Sequence, residues 1–442
     1  MADDILHIKD SYYFEVPRFL WPSHRKSASE FPSWMVRLDD DYQQWESKRF
    51  EQTLQELGVS ADQIAEAKEE WKTWTHKNHS NSSWPLDAWL DRHHSELTVR
   101  AKAWAKKKAP QEKDVVSVYL SNHPEEPLAW VNEIYKDPAK LQKWKSAQLS
   151  ADSKETLDSY LAQSPGAKWD AAKIEAYNKS LNGKIFIPQP FGTLKNAYEP
   201  GAGFCISRYM LIELAVALLV FYLFRWLAGK MSSGDAPKGK LWNALEGMVT
   251  FVRNQVVVPA MGEHDADKYM PFFWTLFTFI LGCNLAGMIP WVGAPTSVIG
   301  TTGTLAIFVF LLGLYLGIKQ FGLLGYLKNI CPSLGLPPYL AIFIVPLLWV
   351  IEAASLLIKH FILAMRLLAN MVAGHSVLLG IMGMAFGAHA LTMHSGSWSA
   401  LAIISLLGTT ALSFLELFVA FLQAYIFTFL AALFVGSAIH HH

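Results

Sequence analysis

The chain changes character near residue 208. Before it, apolar residues recur at helical spacing in polar surroundings; after it, they form runs long enough to cross a bilayer. In the first part, Ser60-Ala-Asp-Gln63 is a capping-box pattern that opens a helix over 64–74. Pro85 starts another helix, with Leu86, Trp89, Leu90 and Leu97 on one face, and similar patterns fall near 137–147 and 151–163. Tryptophans on these faces are expected to pack a small core. In the second part, spans are predicted at 209–228, 270–292 and 301–318. The apolar regions 338–388 and 398–438 exceed the ~20 residues of a perpendicular span, so these helices must tilt, kink or lie partly along the membrane. Between the first two spans, Leu241, Leu245, Met248, Val249 and Val252 recur at helical spacing, interrupted by Asn243, Glu246 and Arg253. This predicts an interfacial amphipathic helix. The expected fold class is an all-α membrane protein of about five membrane helices, the last two long and tilted. Residues 1–182 form a mostly helical soluble extension, 183–207 a Gly- and Pro-rich linker, and 208–442 the membrane domain.

Composition sharpens this division. Residues 1–207 carry 27 of the 38 Lys and Arg, 30 of the 38 Asp and Glu and 11 of the 17 Trp, which makes the first part water-soluble in character. The net charge of zero argues against a nucleic-acid partner, and Lys106-Lys107-Lys108 is expected on a solvated helix face. Cys205, Cys283 and Cys331 give no disulfide framework and no metal-ligand spacing. Glu263-His264-Asp265-Ala-Asp267 groups possible metal ligands, but is expected to be a solvated polar loop before a span. The start, Met1-Ala-Asp-Asp-Ile-Leu-His7, has neither the basic nor the apolar region of a signal peptide. The closing His440-His441-His442 carries no function in this reading.

Short loops set the expected orientation. The 225–240 loop holds Arg225, Lys230, Lys238 and Lys240, and the 319–337 loop holds Lys319 and Lys328; loops 293–300 and 389–397 hold no Lys or Arg. The positive-inside rule then places the C-terminus in the cytoplasm and residues 1–207 outside it.

Chemistry enters through Arg366, a fixed positive charge in a long apolar stretch. Such a charge is costly at membrane depth and points to an ion or charge pathway. Glu352, Lys359 and Arg366 are spaced by seven, about 700° of helix, so they lie near one face, with Asn370 a turn further on roughly the same side. His375 is about 180° round and ~13 Å along the axis, so it faces away from that stripe. Glu416 and Gln423 repeat the spacing of seven in the last helix, and His375 and Glu416 can meet on the outer side. Bland alternatives stand beside this: a local Glu352–Lys359 pair, a packing role for His375, and helix–helix glue from Asn370 and Gln423. Two other classes stay open: a stand-alone secondary transporter or channel, and a receptor-like scaffold. The first should show internal repeats, and none is evident.

Met365-Arg366-Leu-Leu-Ala-Asn370-Met-Val-Ala-Gly374-His375 closely resembles the fifth-helix motif of subunit a of F-type ATP synthases. Glu416-Leu-Phe-Val-Ala-Phe-Leu-Gln423-Ala-Tyr425-Ile-Phe427 resembles its last-helix motif. Asn284-Leu-Ala-Gly-Met-Ile-Pro290 and Ala294-Pro295-Thr296-Ser297 resemble the third-helix end and its loop. His375 with Glu416 is similar to the mitochondrial-type arrangement; some bacterial members swap the two residue types. The chain departs from the pattern at Gly287, where some members have an acid, and at Val298, where the loop often has Asp. The extension before residue 208 is far longer than is usual in that family. The resemblance covers about 208–438 and implies a multi-pass stator subunit of a bacterial inner membrane. It implies a c-subunit ring, peripheral-stalk b subunits and lipid as partners, and no cofactor or metal. It implies proton translocation through Arg366, His375, Glu416, Glu352, Asn370 and Gln423, coupled to ATP synthesis in a separate head.

Overall fold

The computed structural model describes residues 10–77, 84–108, 114–151, 154–163, 169–232, 239–289, 292–329, 338–386 and 395–439. Lys238, Pro290, Cys331, residues 389–394 and His440–His442, which entered the sequence reading, lie outside the described residues, as does the side chain of Lys328. The chain forms two compact units. One holds residues 17–184 and 189–205; the other holds residues 10–16, 185–188 and 206–439.

The first unit is helical: α1 (Ser33–Arg37), α2 (Asp40–Glu56), α3 (Ala61–Lys77), α4 (Leu86–Lys108), α5 (Val115–Asn122), α6 (Val131–Lys136), α7 (Pro138–Ala151), α8 (Lys154–Gln163) and α9 (Ala171–Leu181). The capping box opens α3 as its sequence demands. Gln63 Oε1 accepts from the Ser60 backbone N–H at 3.2 Å, and Ser60 Oγ accepts from the Gln63 N–H at 3.4 Å. Pro85 precedes α4, whose Leu86, Trp89, Leu90 and Leu97 are all buried. Trp71, Trp89 and Trp144 join Phe50, Leu54 and Ile134 in one core, so these tryptophans are packing residues.

Charge within this unit is organised by two carboxylates. Asp91 accepts from Trp144 Nε1 at 2.9 Å, from Gln148 Nε2 at 2.6 Å and from the Tyr135 hydroxyl. Asp39 accepts from Lys173 Nζ at 2.8 Å and Tyr177 Oη at 2.6 Å, tying the start of α2 to α9. Burial, then the hydrogen bond to a carboxylate, pushes the Tyr135 and Tyr177 hydroxyls well above the usual phenol range. Burial pulls the Lys173 ammonium down, but hydrogen bonds to Asp39 and Asp41 outweigh it and hold the group above its ordinary value.

The stretch expected to be a linker carries three short strands: β2 (Lys184–Phe186), β3 (Gly192–Leu194) and β4 (Pro200–Gly203). β3 pairs antiparallel with β4 across a bulge, and β1 (Tyr13–Glu15) pairs with β2. Residues near the chain start therefore belong with the second unit. There the backbone N–H of Arg208 donates to Ser11 O at 2.8 Å, and that of Tyr209 donates to Asp10 Oδ1 at 3.2 Å. Two of the donors that a helix start leaves unpaired are thus met by a segment ~200 residues away in sequence.

Among its described residues the second unit contains five helices long and apolar enough to cross a membrane: Arg208–Met231, Glu263–Gly287, Ile299–Leu327, Ile344–Met384 and Trp398–Ile439. They lie in α10 (Arg208–Met231), α13 (Glu263–Gly287), α14 (Ile299–Asn329), α15 (Pro338–Phe386) and α16 (Ser395–Ile439). At 49 and 45 residues, α15 and α16 would be about 70 Å long, well beyond the ~30 Å hydrocarbon core. They run antiparallel: His360 packs on Phe434, His375 on Glu416, and Ser405 bonds the Ile381 carbonyl. Ala424, Ala431 and Ala432 of α16 are fully buried with Phe273, Phe277 and Ile280 of α13. Small residues let helix backbones approach where lipid supplies no hydrophobic drive. α14 breaks at Gly322, whose φ of 73° is a conformation that glycine adopts without strain.

Two local expectations change. The amphipathic helix is α11 (Lys240–Val252), continued by a π-helical turn, Arg253–Val257, and by α12 (Val258–Met261). Leu245 and Val252 are buried as expected, but Leu241 is exposed and Trp242 takes its inward place. The acidic stretch from Glu263 is the first turn of α13, not a loop. Carboxylates there face the positive end of the helix, Asp267 pairs with Arg253 at 2.8 Å, and His264 is fully exposed.

Candidate functional site

α15 carries most of the polar residues that the sequence singles out, and the packing of α13, α14 and α16 decides which of them meet. His375 and Glu416 do meet. His375 Nδ1 lies 2.5 Å from Glu416 Oε1, with both side chains almost fully buried. His375 Nε2 lies 3.2 Å from the carbonyl oxygen of Gly287. A carbonyl only accepts, so Nε2 carries a proton. The short Nδ1···Oε1 contact then holds one further proton, on the ring or on the acid.

Gly287 is a site residue that side-chain chemistry could not reveal, since it acts through its backbone. A Cβ there would lie 2.5 Å from Ala294 Cβ and 2.9 Å from Ala294 Cα, so only glycine permits this approach of α13 to the 293–300 loop. Next to it, the fully buried Asn284 ties three segments together. Its Nδ2 donates to Ala420 O of α16 at 3.2 Å, and its Oδ1 accepts from Thr296 Oγ1 at 2.9 Å. The loop motif Ala294-Pro295-Thr296-Ser297 is buried, with a 3-10 turn over Pro295–Ser297. Glu213 was also missed: on α10, it accepts from Thr301 Oγ1 of α14 at 2.6 Å. A lone carboxylate in an otherwise apolar span was its signal.

Asn370 and Gln423 do not touch His375, but they line a common cleft of ≈ 240 Å³ with Glu416 and Asn284. A second cavity, ≈ 160 Å³, is lined by Glu352, Lys359 and His360 of α15, Tyr326 of α14 and Phe434 and Ser437 of α16. Lys359 Nζ stands 3.6 Å from Glu352 Oε1, and both are half-exposed, so the pair is worth little by itself. Arg366 sits on α15 between the two cavities, about four residues or ~6 Å from the first and six residues or ~9 Å from the second. Among the described residues its guanidinium has no ion-pair or hydrogen-bond partner. It is partly buried, with Leu363 and Leu367 fully buried beside it. Arg366 is therefore a permanent charge held at the bundle surface rather than one neutralised inside it.

The bundle thus sets charged and amide side chains among apolar helices, and comparison with known proteins says to which family it belongs. The family model described as "ATP synthase A chain" matches residues 210–436, just over half of the chain. Among curated proteins, the chain is 36% identical over 277 residues to "ATP synthase subunit a" of Chloroherpeton thalassium, covering 62% of this chain and 78% of that protein. It is 38% identical over 236 residues to "ATP synthase subunit a" of Myxococcus xanthus, covering 53% of this chain and 73% of that protein. It is 38% identical over 266 residues to "ATP synthase subunit a 2" of Chlorobaculum tepidum, covering 59% and 71%. The chain belongs to the ATP synthase A chain family, and it is a multi-pass membrane protein.

Proposed function

We propose that the chain serves as the stator subunit a of an F-type ATP synthase, offering two proton half-channels to a ring of c subunits. The observation that carries this is a pair of cavities on either side of Arg366 along α15, a mostly apolar cleft into which Asn284, Asn370, Glu416 and Gln423 are set and a second cavity that holds Glu352, Lys359 and His360. One cavity alone would suit a binding pocket; two, separated by a fixed charge, suit a route that must not run straight through. A proton enters by the outer cleft, is passed by the His375–Glu416 pair and meets a ring carboxylate near Asn370 and Gln423. Arg366 attracts the deprotonated carboxylate that returns to it and repels a proton seeking a direct path, a role that needs a charge that cannot be shed. Released protons leave by the cavity that holds Glu352. Each proton falling through 100 mV supplies about 2.3 kcal/mol, which drives rotation.

In this reading residues 208–442 form the membrane domain of a bacterial inner membrane, with the C-terminus cytoplasmic. Residues 1–182 form an accessory domain on the outer side, and the c-subunit ring and peripheral-stalk b subunits are the chain's partners. The test is ATP-driven proton pumping by inverted vesicles carrying Arg366→Ala. Ala is well tolerated in a helix, so assembly should persist while pumping is abolished. Normal pumping would refute the proposal.

A further inference from the structure

The smaller cavity contains a titratable group that the roles above leave idle. His360 is buried, yet it is one residue from Lys359 and lies on the cavity wall shared by Glu352. Its ring stands between Phe310 of α14, 5.2 Å between centroids, and Phe434 of α16, 4.8 Å. Two aromatic neighbours fix the ring plane. Its Nδ1 lies 2.8 Å from the carbonyl oxygen of Leu356, one turn earlier. That oxygen can only accept, so Nδ1 carries the proton and the neutral ring offers its Nε2 lone pair as an acceptor. A ring held in one plane and one tautomer, beside a polar cavity, can take up and return a proton without reorienting. The other groups facing the cavity are Glu352 and Lys359 of α15 and Tyr326 of α14; α16 brings Phe434, Ser437 and Ala438, none ionisable. An ammonium such as that of Lys359 has no lone pair with which to accept a proton, whereas the imidazole of His360 presents a lone pair at one ring nitrogen and an N–H at the other.

We infer that His360 is a proton-relay residue of the inner half-channel, accepting at Nε2 a proton delivered from the ring side and passing it to water or to Glu352 at the cavity mouth. The balance is simple: Nε2 gains a proton to give the imidazolium and loses the same proton outward, while Nδ1 keeps its own. The inference rests on the subunit reading above and adds a group to its inner path.

The test uses the assembled complex in inverted vesicles, stripped of its soluble head, with passive proton flux measured across a range of pH on the cytoplasmic face. His360→Gln keeps a polar side chain of similar reach but cannot titrate. Its flux is expected to fall about tenfold or more and to lose its pH dependence between about pH 5 and 8. His360→Ala, which opens a hole between the two rings, provides the second arm. Added imidazole should restore its flux, whereas pyrrole, of the same size but not basic, should not. Unchanged flux and pH profile in an assembled His360→Gln complex overturn the role. So does an unchanged profile beneath a lower flux, or equal rescue by both azoles, since either marks His360 as packing only. Arg366→Ala vesicles run alongside separate the two ideas. Coupled pumping there removes the subunit reading itself, whereas a null result at His360 alone removes only this relay.

Discussion

Arg366 and His375 are one motif in sequence and two environments in space. Nine residues turn the helix by about 900°, which puts His375 against α13 and α16 while Arg366 stays at the bundle surface. Because His375 and Glu416 are in direct contact, their contributions to transport should not add. His375→Ala and Glu416→Gln are each expected to lower ATP-driven proton flux strongly, and the double variant to be no worse than the poorer single one. Additive losses in log flux would show two groups working separately. Gly287 gives a second residue-scale prediction. Gly287→Ala drives a Cβ into Ala294, and overpacking of this kind costs about 1–3 kcal/mol. The purified complex should unfold at lower temperature, and its flux should fall because the acceptor for His375 Nε2 shifts. Unaltered melting and flux would mean that the 293–300 loop yields freely.

At the scale of elements, much could be read from the pattern. The five spans, the capping box of α3 and the inward face of α4 follow from periodicity and capping alone. What could not be read was set by contacts between distant segments. Pairing of β1 with β2 and capping of α10 by Asp10 and Ser11 join positions ~200 residues apart, and nothing local marks them. Leu241 and Trp242 differ because an amphipathic pattern fixes a face only to within a residue, and the neighbours choose. The meeting of His375 with Glu416 was legible from the sequence because both are polar side chains in apolar helices. The contact of His375 with the Gly287 carbonyl and the place of His360 on the smaller cavity's wall were not legible, the first because it uses backbone and the second because His360 lies outside the stripe of spacing seven. The Asp39 hub makes an element-scale prediction. Lys173 and Tyr177 have folded-state values raised above their unfolded ones, so their stabilisation is complete below about pH 10 and is lost as pH climbs through the raised values. Tryptophan-monitored melting of the purified chain should therefore weaken above about pH 10. Asp39→Asn should flatten that dependence. A slope unaffected by Asp39→Asn would place the alkaline sensitivity elsewhere.

At the scale of the whole molecule, the division into units alters how the extension should be removed. Cutting away residues 1–182 also removes the segment that caps α10 and pairs with β2. That deletion is expected to reduce the amount of assembled complex. Replacing only residues 17–183 by a short flexible linker should leave assembly and proton flux near wild type. Equal damage from both deletions would assign the helical unit a direct part in assembly.

The account stands or falls on the separation of two aqueous half-channels at Arg366. The most direct measurement is side-specific thiol labelling in the assembled complex, after Cys205, Cys283 and Cys331 are replaced. Val419→Cys lines the larger cleft and Leu356→Cys the smaller cavity. A small membrane-impermeant thiol reagent is expected to reach Val419→Cys only from the outer face and Leu356→Cys only from the cytoplasmic face. Reaction of either cysteine from both faces would mean one continuous path, and the two-half-channel account would be wrong.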